Sequence, residues 1–161
     1  LATQREMLGV LLSPTAVNPL RINGLVAAVF SPFDAAGALN TSVVPLQSAY
    51  LQATGVDWVF VGGTSGESLS LSLGERKALT EAWLATPASV IAHVGAECLG
   101  DARVLAAHAQ DKGAKAIAAM PPTFFKPANA HALAITLASI CAAAPDLPCY
   151  YYHIPSMTGV A

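Results

Sequence analysis

Five short apolar runs recur along the sequence at nearly constant spacing: Leu25 to Phe30, Asp57 to Val61, Val90 to Val94, Ala116 to Met120 and Pro148 to Tyr152. The repeat is roughly 30 residues, the length of one β-strand and its following helix. Each run is continuous rather than alternating, the pattern of parallel strands covered on both faces. The chain is therefore expected to be α/β. Uninterrupted β-α alternation permits an open doubly wound sheet or a closed barrel of eight units. No GxGxxG follows the first run, where Asn23-Gly24 instead precedes it, so a dinucleotide crevice has no support.

Helical patterns with recognisable punctuation fill the intervals. Val43, Leu46, Tyr50 and Ala53 fall on one face after the polar opening Asn40, Thr41, Ser42, and Pro45 is compatible with a first turn. Ser72 and Glu75 have capping-box spacing and predict a helix start at Ser72. Asp101 to Lys112 closes on Gly113, suited to the left-handed residue after a helix. Asn129 to Ala144 is alanine-rich, apolar at Leu133, Leu137, Ile140 and Cys141, and stopped by Pro145.

Composition narrows the function classes. With 161 residues, 54% hydrophobic and 11% charged, the chain can bury one sizeable core. A net charge of −2 with no basic stripe gives nucleic acid no footprint. No apolar run approaches the roughly 20 residues that cross a bilayer. Met7 to Leu12 follows Arg5 and Glu6 and is too short for a secretory core, so no targeting signal is expected. Cys98, Cys141 and Cys149 lack CxxC spacing; they are expected to be reduced, buried thiols in a cytosolic protein, forming neither a zinc site nor a disulfide. Residues 1–20 are weakly patterned and are read as an extension, with residues 21–161 forming the β/α body. Leu1 stands where a methionine would begin a chain, and Ala161 directly follows a motif, so both ends are expected to be cut.

Chemistry in a parallel β/α architecture gathers at the carboxyl ends of the strands. Two segments stand out there. After the second run comes Gly62-Gly63-Thr64-Ser65-Gly66-Glu67-Ser68, whose backbone N–H groups and adjacent hydroxyls suit a carboxylate or phosphate. The same residues also describe a tight turn in which Thr64 or Ser65 caps a helix. The fifth run ends Tyr150-Tyr151-Tyr152-His153-Ile154-Pro155. Strand alternation places Tyr150 and Tyr152 on one face and Tyr151 and His153 on the other. An inward tyrosine can relay a proton, or it can simply pack.

Taken together, Gly24-Leu25-Val26-Ala27-Ala28 before Pro32-Phe33, the stretch Gly63 to Ser72 with Glu75-Arg76, His93-Val94-Gly95-Ala96, and Tyr151 to Pro155 with Thr158-Gly159-Val160 resemble the N-acetylneuraminate lyases, within the larger family that includes dihydrodipicolinate synthase. The resemblance covers Gly24 to Val160. It implies a (β/α)8 TIM barrel, here truncated after about five β/α units, and a class I aldolase that forms a lysine Schiff base with pyruvate and cleaves sialic acid without metal or organic cofactor. It also implies a cytoplasmic homotetramer for the parent protein. By this resemblance Thr64, Ser65 and Gly63 hold the pyruvate carboxylate and Tyr152 moves the proton at the cleaved bond. Gly62 stands where relatives are expected to carry asparagine or serine, a departure that bears on substrate preference.

The same resemblance puts the imine-forming lysine beyond Ala161. Lys77, Lys112 and Lys115 read as helix-surface or strand-entry residues, and Lys126 as a proline-flanked loop residue lacking the desolvated pocket an imine lysine needs. His93 is expected to be a strand-end histidine bonded to a backbone carbonyl, His108 and His131 surface residues, and Glu67 a carboxylate ordering its own loop. Two rivals stay open: another pyruvate aldolase, such as a dihydrodipicolinate synthase-like enzyme, and a non-catalytic truncated isoform.

Overall fold

The computed structural model describes residues 20–160, so all of the expected extension except Leu20 lies outside the described residues. The elements run β1 Val26–Ala28, α1 Val44–Ala53, β2 Trp58–Val61, α2 Leu73–Leu84, β3 Ser89–His93, α3 Leu99–Asp111, β4 Ala116–Ala119, α4 Ala130–Cys141, β5 Cys149–Tyr151 and the one-turn α5 Pro155–Thr158. All five predicted strands form; four are a little shorter than their apolar runs, and β3 keeps five residues but starts one earlier, at Ser89. Two helices, α2 and α4, begin where a side-chain cap dictates. Ser72 and Glu75 make the reciprocal capping box at α2, and the Asn129 side chain accepts the Ala132 N–H at 2.9 Å to open α4. Gly113 takes φ 89 after α3, a conformation that residues with a Cβ resist.

The strands form one parallel sheet in the order β1-β2-β3-β4-β5. That order decides between the two architectures. A doubly wound sheet reverses direction at a switch point, whereas an unreversed order puts every right-handed crossover helix on the same face. Successive helices accordingly contact one another, α1 on α2, α2 on α3, α3 on α4. The fold is five consecutive units of a (β/α)8 barrel.

Register sorts the strand side chains into two sets. Val59, Val61, Val90, Ala92, Ile117 and Ala119 point out to the helices and join Leu79, Trp83, Leu105 and Ile140 in the main core. The alternate residues Trp58, Phe60, Ile91, Ala116 and Ala118 form a second, inward cluster on which Leu20 and Ile22 pack. Chain ahead of β1 thus covers part of the barrel's interior.

Three expectations are corrected. The α1 face with Leu46 and Tyr50 does not face the core: these residues are 71% and 70% exposed, while Val44 and Ser48 turn inward. Leu46 and Tyr50 instead flank, with Phe30, Val29 and Ala27, an apolar groove of about 410 Å³ beside the unpaired edge of β1. A closed barrel leaves no such edge, so this is the surface that its remaining units would cover. The cysteine reading also fails. Cys141, ending α4, and Cys149, opening β5, are joined in a disulfide with Cα atoms 5.8 Å apart, and Cys98 is exposed rather than buried. The eight-residue separation hid the pair, because a turn returns the chain from helix end to adjacent strand start, where the two side chains face each other. His108 is half-buried rather than on the surface; its Nε2 lies 2.8 Å from Glu81 Oε1, with Lys112 Nζ 3.1 Å from the same oxygen, tying α3 to α2. His131 is exposed.

Candidate functional site

At the carboxyl end of the sheet the glycine loop and the end of β5 meet. Thr64 Oγ1 and the Tyr152 hydroxyl are 3.2 Å apart, across 88 residues of sequence. Tyr152 is on the inward face, as its β5 parity requires, and its ring forms a triangle with Phe60 of β2 and His93 of β3. The centroid distances are 5.1 Å to Phe60 and 5.7 Å to His93, both edge-on, and 5.9 Å between Phe60 and His93. Such tilted contacts are the favourable ones for aromatic quadrupoles. Tyr151 and His153 turn the other way and pair with each other, hydroxyl to Nδ1 3.1 Å.

Loop backbone geometry explains the glycines. Gly62 adopts φ 68. A Cβ on Gly63 would lie 2.5 Å from Phe60 Cε1, and one on Gly66 would lie 3.2 Å from the Val29 carbonyl oxygen. The loop therefore packs directly on the inward aromatic and on the end of β1. The buried Ser31 hydroxyl, just after β1, donates to the Gly66 carbonyl at 2.6 Å and fastens the same loop from the other side. The Thr64 and Gly63 carbonyls accept the Glu67 and Ser68 N–H groups. Thr64 and Ser65 are exposed at its tip, and Gly63 is buried beneath them.

Glu67 does not order the loop through its carboxylate: its side chain is exposed, and what distinguishes it is a left-handed backbone, φ 52 and ψ 35. Glutamate pays about 1 kcal/mol or more for that conformation. The residue lines a cavity of about 200 Å³ together with Thr64, Ser68, Met120, Thr123 and Thr158. Thr123 of that lining is held in turn: the Glu97 carboxylate accepts the N–H groups of Thr123 and Phe124 and the Thr123 hydroxyl. Partial desolvation opposes ionisation, but these three donors hold the carboxyl below its ordinary pKa. The latch fixes the loop after β4, which presents Phe124 and Phe125 to solvent, 81% and 85% exposed.

Below the rim the polar groups are buried. His93 Nδ1 lies 2.7 Å from the Gly62 carbonyl, matching the backbone-bonded reading of this histidine. Because a carbonyl only accepts, Nδ1 carries the proton and Nε2 does not. Burial, and secondarily the charge of Arg76, push His93 down to about 3. The Arg76 guanidinium, 6% exposed, donates to the carbonyls of His93 and Gly95, both at 2.9 Å. Burial lowers Arg76 to about 10, partly offset by Asp101. The 3.5 Å approach of Arg76 Nη2 to His93 Nδ1 is not a hydrogen bond, since both atoms are donors.

Among the lysines, Lys112 and Lys115 are exposed and Lys77 is half-buried. Lys126 reaches the turn after β5, where a Cβ on Gly159 would sit 2.5 Å from its Nζ. Sequence reasoning missed Ser31, Phe60, Glu97 and Thr123. Ser31 alone carried a signal, a small polar residue directly after a strand; the others are ordinary residues until the fold assembles them. Among the described residues no helix is long and apolar enough to cross a membrane.

Known proteins share this fold. N-acetylneuraminate lyase of Danio rerio is 45% identical over 146 residues, 88% of this chain and 48% of the relative. N-acetylneuraminate lyase B of Xenopus laevis is 46% identical over 145 residues, 87% of this chain and 54% of the relative. The solved structure of Proteus mirabilis N-acetylneuraminate lyase superposes with a TM-score of 0.84 at 36% identity, covering 88% of this chain and 49% of that one. The chain thus spans about half the length of the curated relatives it matches. Residues 21–161 match the family described as dihydrodipicolinate synthetase, and the chain belongs to that family.

Proposed function

We propose that the protein to which this chain belongs is a class I aldolase of the N-acetylneuraminate lyase type, cleaving sialic acid to pyruvate and N-acetylmannosamine. The observation that carries this reading is the 3.2 Å approach of Thr64 to Tyr152 at the strand ends, in a chain about 45% identical to proteins named for that reaction. Thr64, Ser65 and the N–H groups beside Gly63 hold the keto-acid carboxylate. Neutral donors orient it without a counter-charge competing with the iminium. The iminium is formed with a lysine outside residues 1–161. Tyr152, partnered by Thr64, takes the proton of the sugar hydroxyl as the carbon–carbon bond breaks. The bonding pair flows into the iminium to give an enamine, and the sugar leaves as an aldehyde. Protonation and hydrolysis of the enamine release pyruvate and restore the amine. No metal or organic cofactor enters this scheme. We read the assembled protein as a cytoplasmic homotetramer, on the resemblance of its motifs.

The test combines this chain with the part of the Danio rerio lyase beyond its matched region. Borohydride with pyruvate should trap an adduct on the complementing piece and none on this chain alone, and the pair should release N-acetylmannosamine. Tyr152→Phe should lower kcat about 10²- to 10⁴-fold, the worth of a positioned acid-base group. An adduct on residues 1–161, or full turnover with Tyr152→Phe, would refute the assignment. Trapping without release of N-acetylmannosamine would indicate a different pyruvate aldolase.

A further inference from the structure

We propose that His93 is a positioning residue, whose Nδ1–H on the Gly62 carbonyl holds the loop bearing Thr64 in register with Tyr152. The inference rests on the site reading above and adds to it a residue that touches neither hydroxyl.

Three observations converge on it. His93 is the only buried side chain among the described residues that both bonds the glycine loop, at Gly62 O, and packs on the ring of Tyr152, with centroids 5.7 Å apart. Apart from the Phe60 ring, which underlies Gly63 and packs on Tyr152, the loop and β5 are linked by the Thr64–Tyr152 contact itself, which lies at the exposed tip. A hydrogen bond between two exposed hydroxyls is weak against water, so its geometry has to be set from below. His93 is in turn fixed. Arg76 grips its carbonyl and that of Gly95, and a Cβ on Gly95 would lie 2.9 Å from His93 Nε2, so the ring packs closely over that glycine.

Nothing about Nε2 suggests proton transfer. It is buried and has no hydrogen-bond partner among the described residues, and the imidazole stays neutral at physiological pH. A histidine held as one tautomer serves as a rigid donor, and that is the role its surroundings give it. The groups facing it are Arg76, the Tyr152 ring, the Phe60 ring and the Gly62 carbonyl.

Two substitutions separate the donor from the packing. His93→Asn keeps a nitrogen donor two bonds from Cβ, where Nδ1 sits, but loses ring volume. His93→Leu keeps a similar branch and loses the donor. Hydrogen exchange by mass spectrometry, run on the whole chain, reads the loop through the amides of Glu67 and Ser68, which donate to Thr64 O and Gly63 O. His93→Leu should speed their exchange about tenfold or more relative to α3 amides, as loss of a buried hydrogen bond implies, and His93→Asn should restore it to near wild type. Saturation transfer to the pyruvate methyl should weaken in the leucine variant and recover in the asparagine variant. If both variants change loop exchange only in step with α3, His93 merely fills space and the inference falls. If the loop behaves as stated but wild type shows no pyruvate transfer, the positioning role stands and the carboxylate cradle fails instead.

Discussion

Acidification from pH 7 to pH 5 should destabilise this chain through one side chain. Unfolded, His93 takes up a proton near 6.5, whereas folded it does so only at about 3. Between these values the unfolded state binds more protons than the folded one, so stability falls as pH falls. Each unit inside the window costs about 1.4 kcal/mol. Summing the two titration curves from pH 7 to pH 5 gives a loss of about 2 kcal/mol. For a chain of this size that is a fall in melting temperature of roughly 4–8 °C.

The window is separable from ordinary acid denaturation. Glu75, Glu81 and Glu97 are held below the usual carboxylate value by their hydrogen bonds, net of desolvation. Their contribution is present above about 4.5 and is lost only as pH drops through their lowered values. Scanning fluorimetry at half-unit steps, with His93→Asn in parallel, checks the assignment. The asparagine variant should start lower, having lost ring packing, and then stay nearly level from pH 7 to pH 5. An equal slope in both proteins would show that His93 is not the group responsible, and a level wild type would show that it is not buried neutral.

Three further outcomes follow from the same geometry. Gly63→Ala forces a methyl against the Phe60 ring, 2.5 Å from Cε1; it should cost about 1–3 kcal/mol of stability in denaturant titration and, in the reassembled barrel, depress kcat by displacing Thr64 from Tyr152. Cys141→Ser opens the disulfide to Cys149 and should lower stability by about 2–3 kcal/mol, the loop-entropy worth of so short a closure, while the wild-type chain should resist alkylation at both positions until reduced. Leu46→Glu with Tyr50→Glu charges the groove beside β1, where both residues are already largely exposed; light scattering should show less self-association of the isolated chain at an unchanged melting temperature.

How much of this was legible in the sequence follows from where each signal originates. Strand positions, the Ser72–Glu75 cap and the Gly113 stop are local, dictated by a few adjacent residues, and the structure keeps all of them. The motifs at residues 62–68 and 150–155 were visible for the same reason. The Glu97 latch, the Arg76 staple and the Ser31 tie are pairings across 17 to 35 residues, created by strand register rather than by any nearby pattern. No periodicity announces them. The α1 misreading is of another kind. Helical spacing shows that Leu46 and Tyr50 share a face, but not which neighbour that face meets, and here the neighbour would be the last unit of a closed ring rather than β2. An amphipathic stripe therefore reports that burial is intended without saying by what. In a five-strand arc the two helices at the ends are where that distinction changes the answer, and α4 accordingly buries Ile140 alone while Ile135 stays 43% exposed.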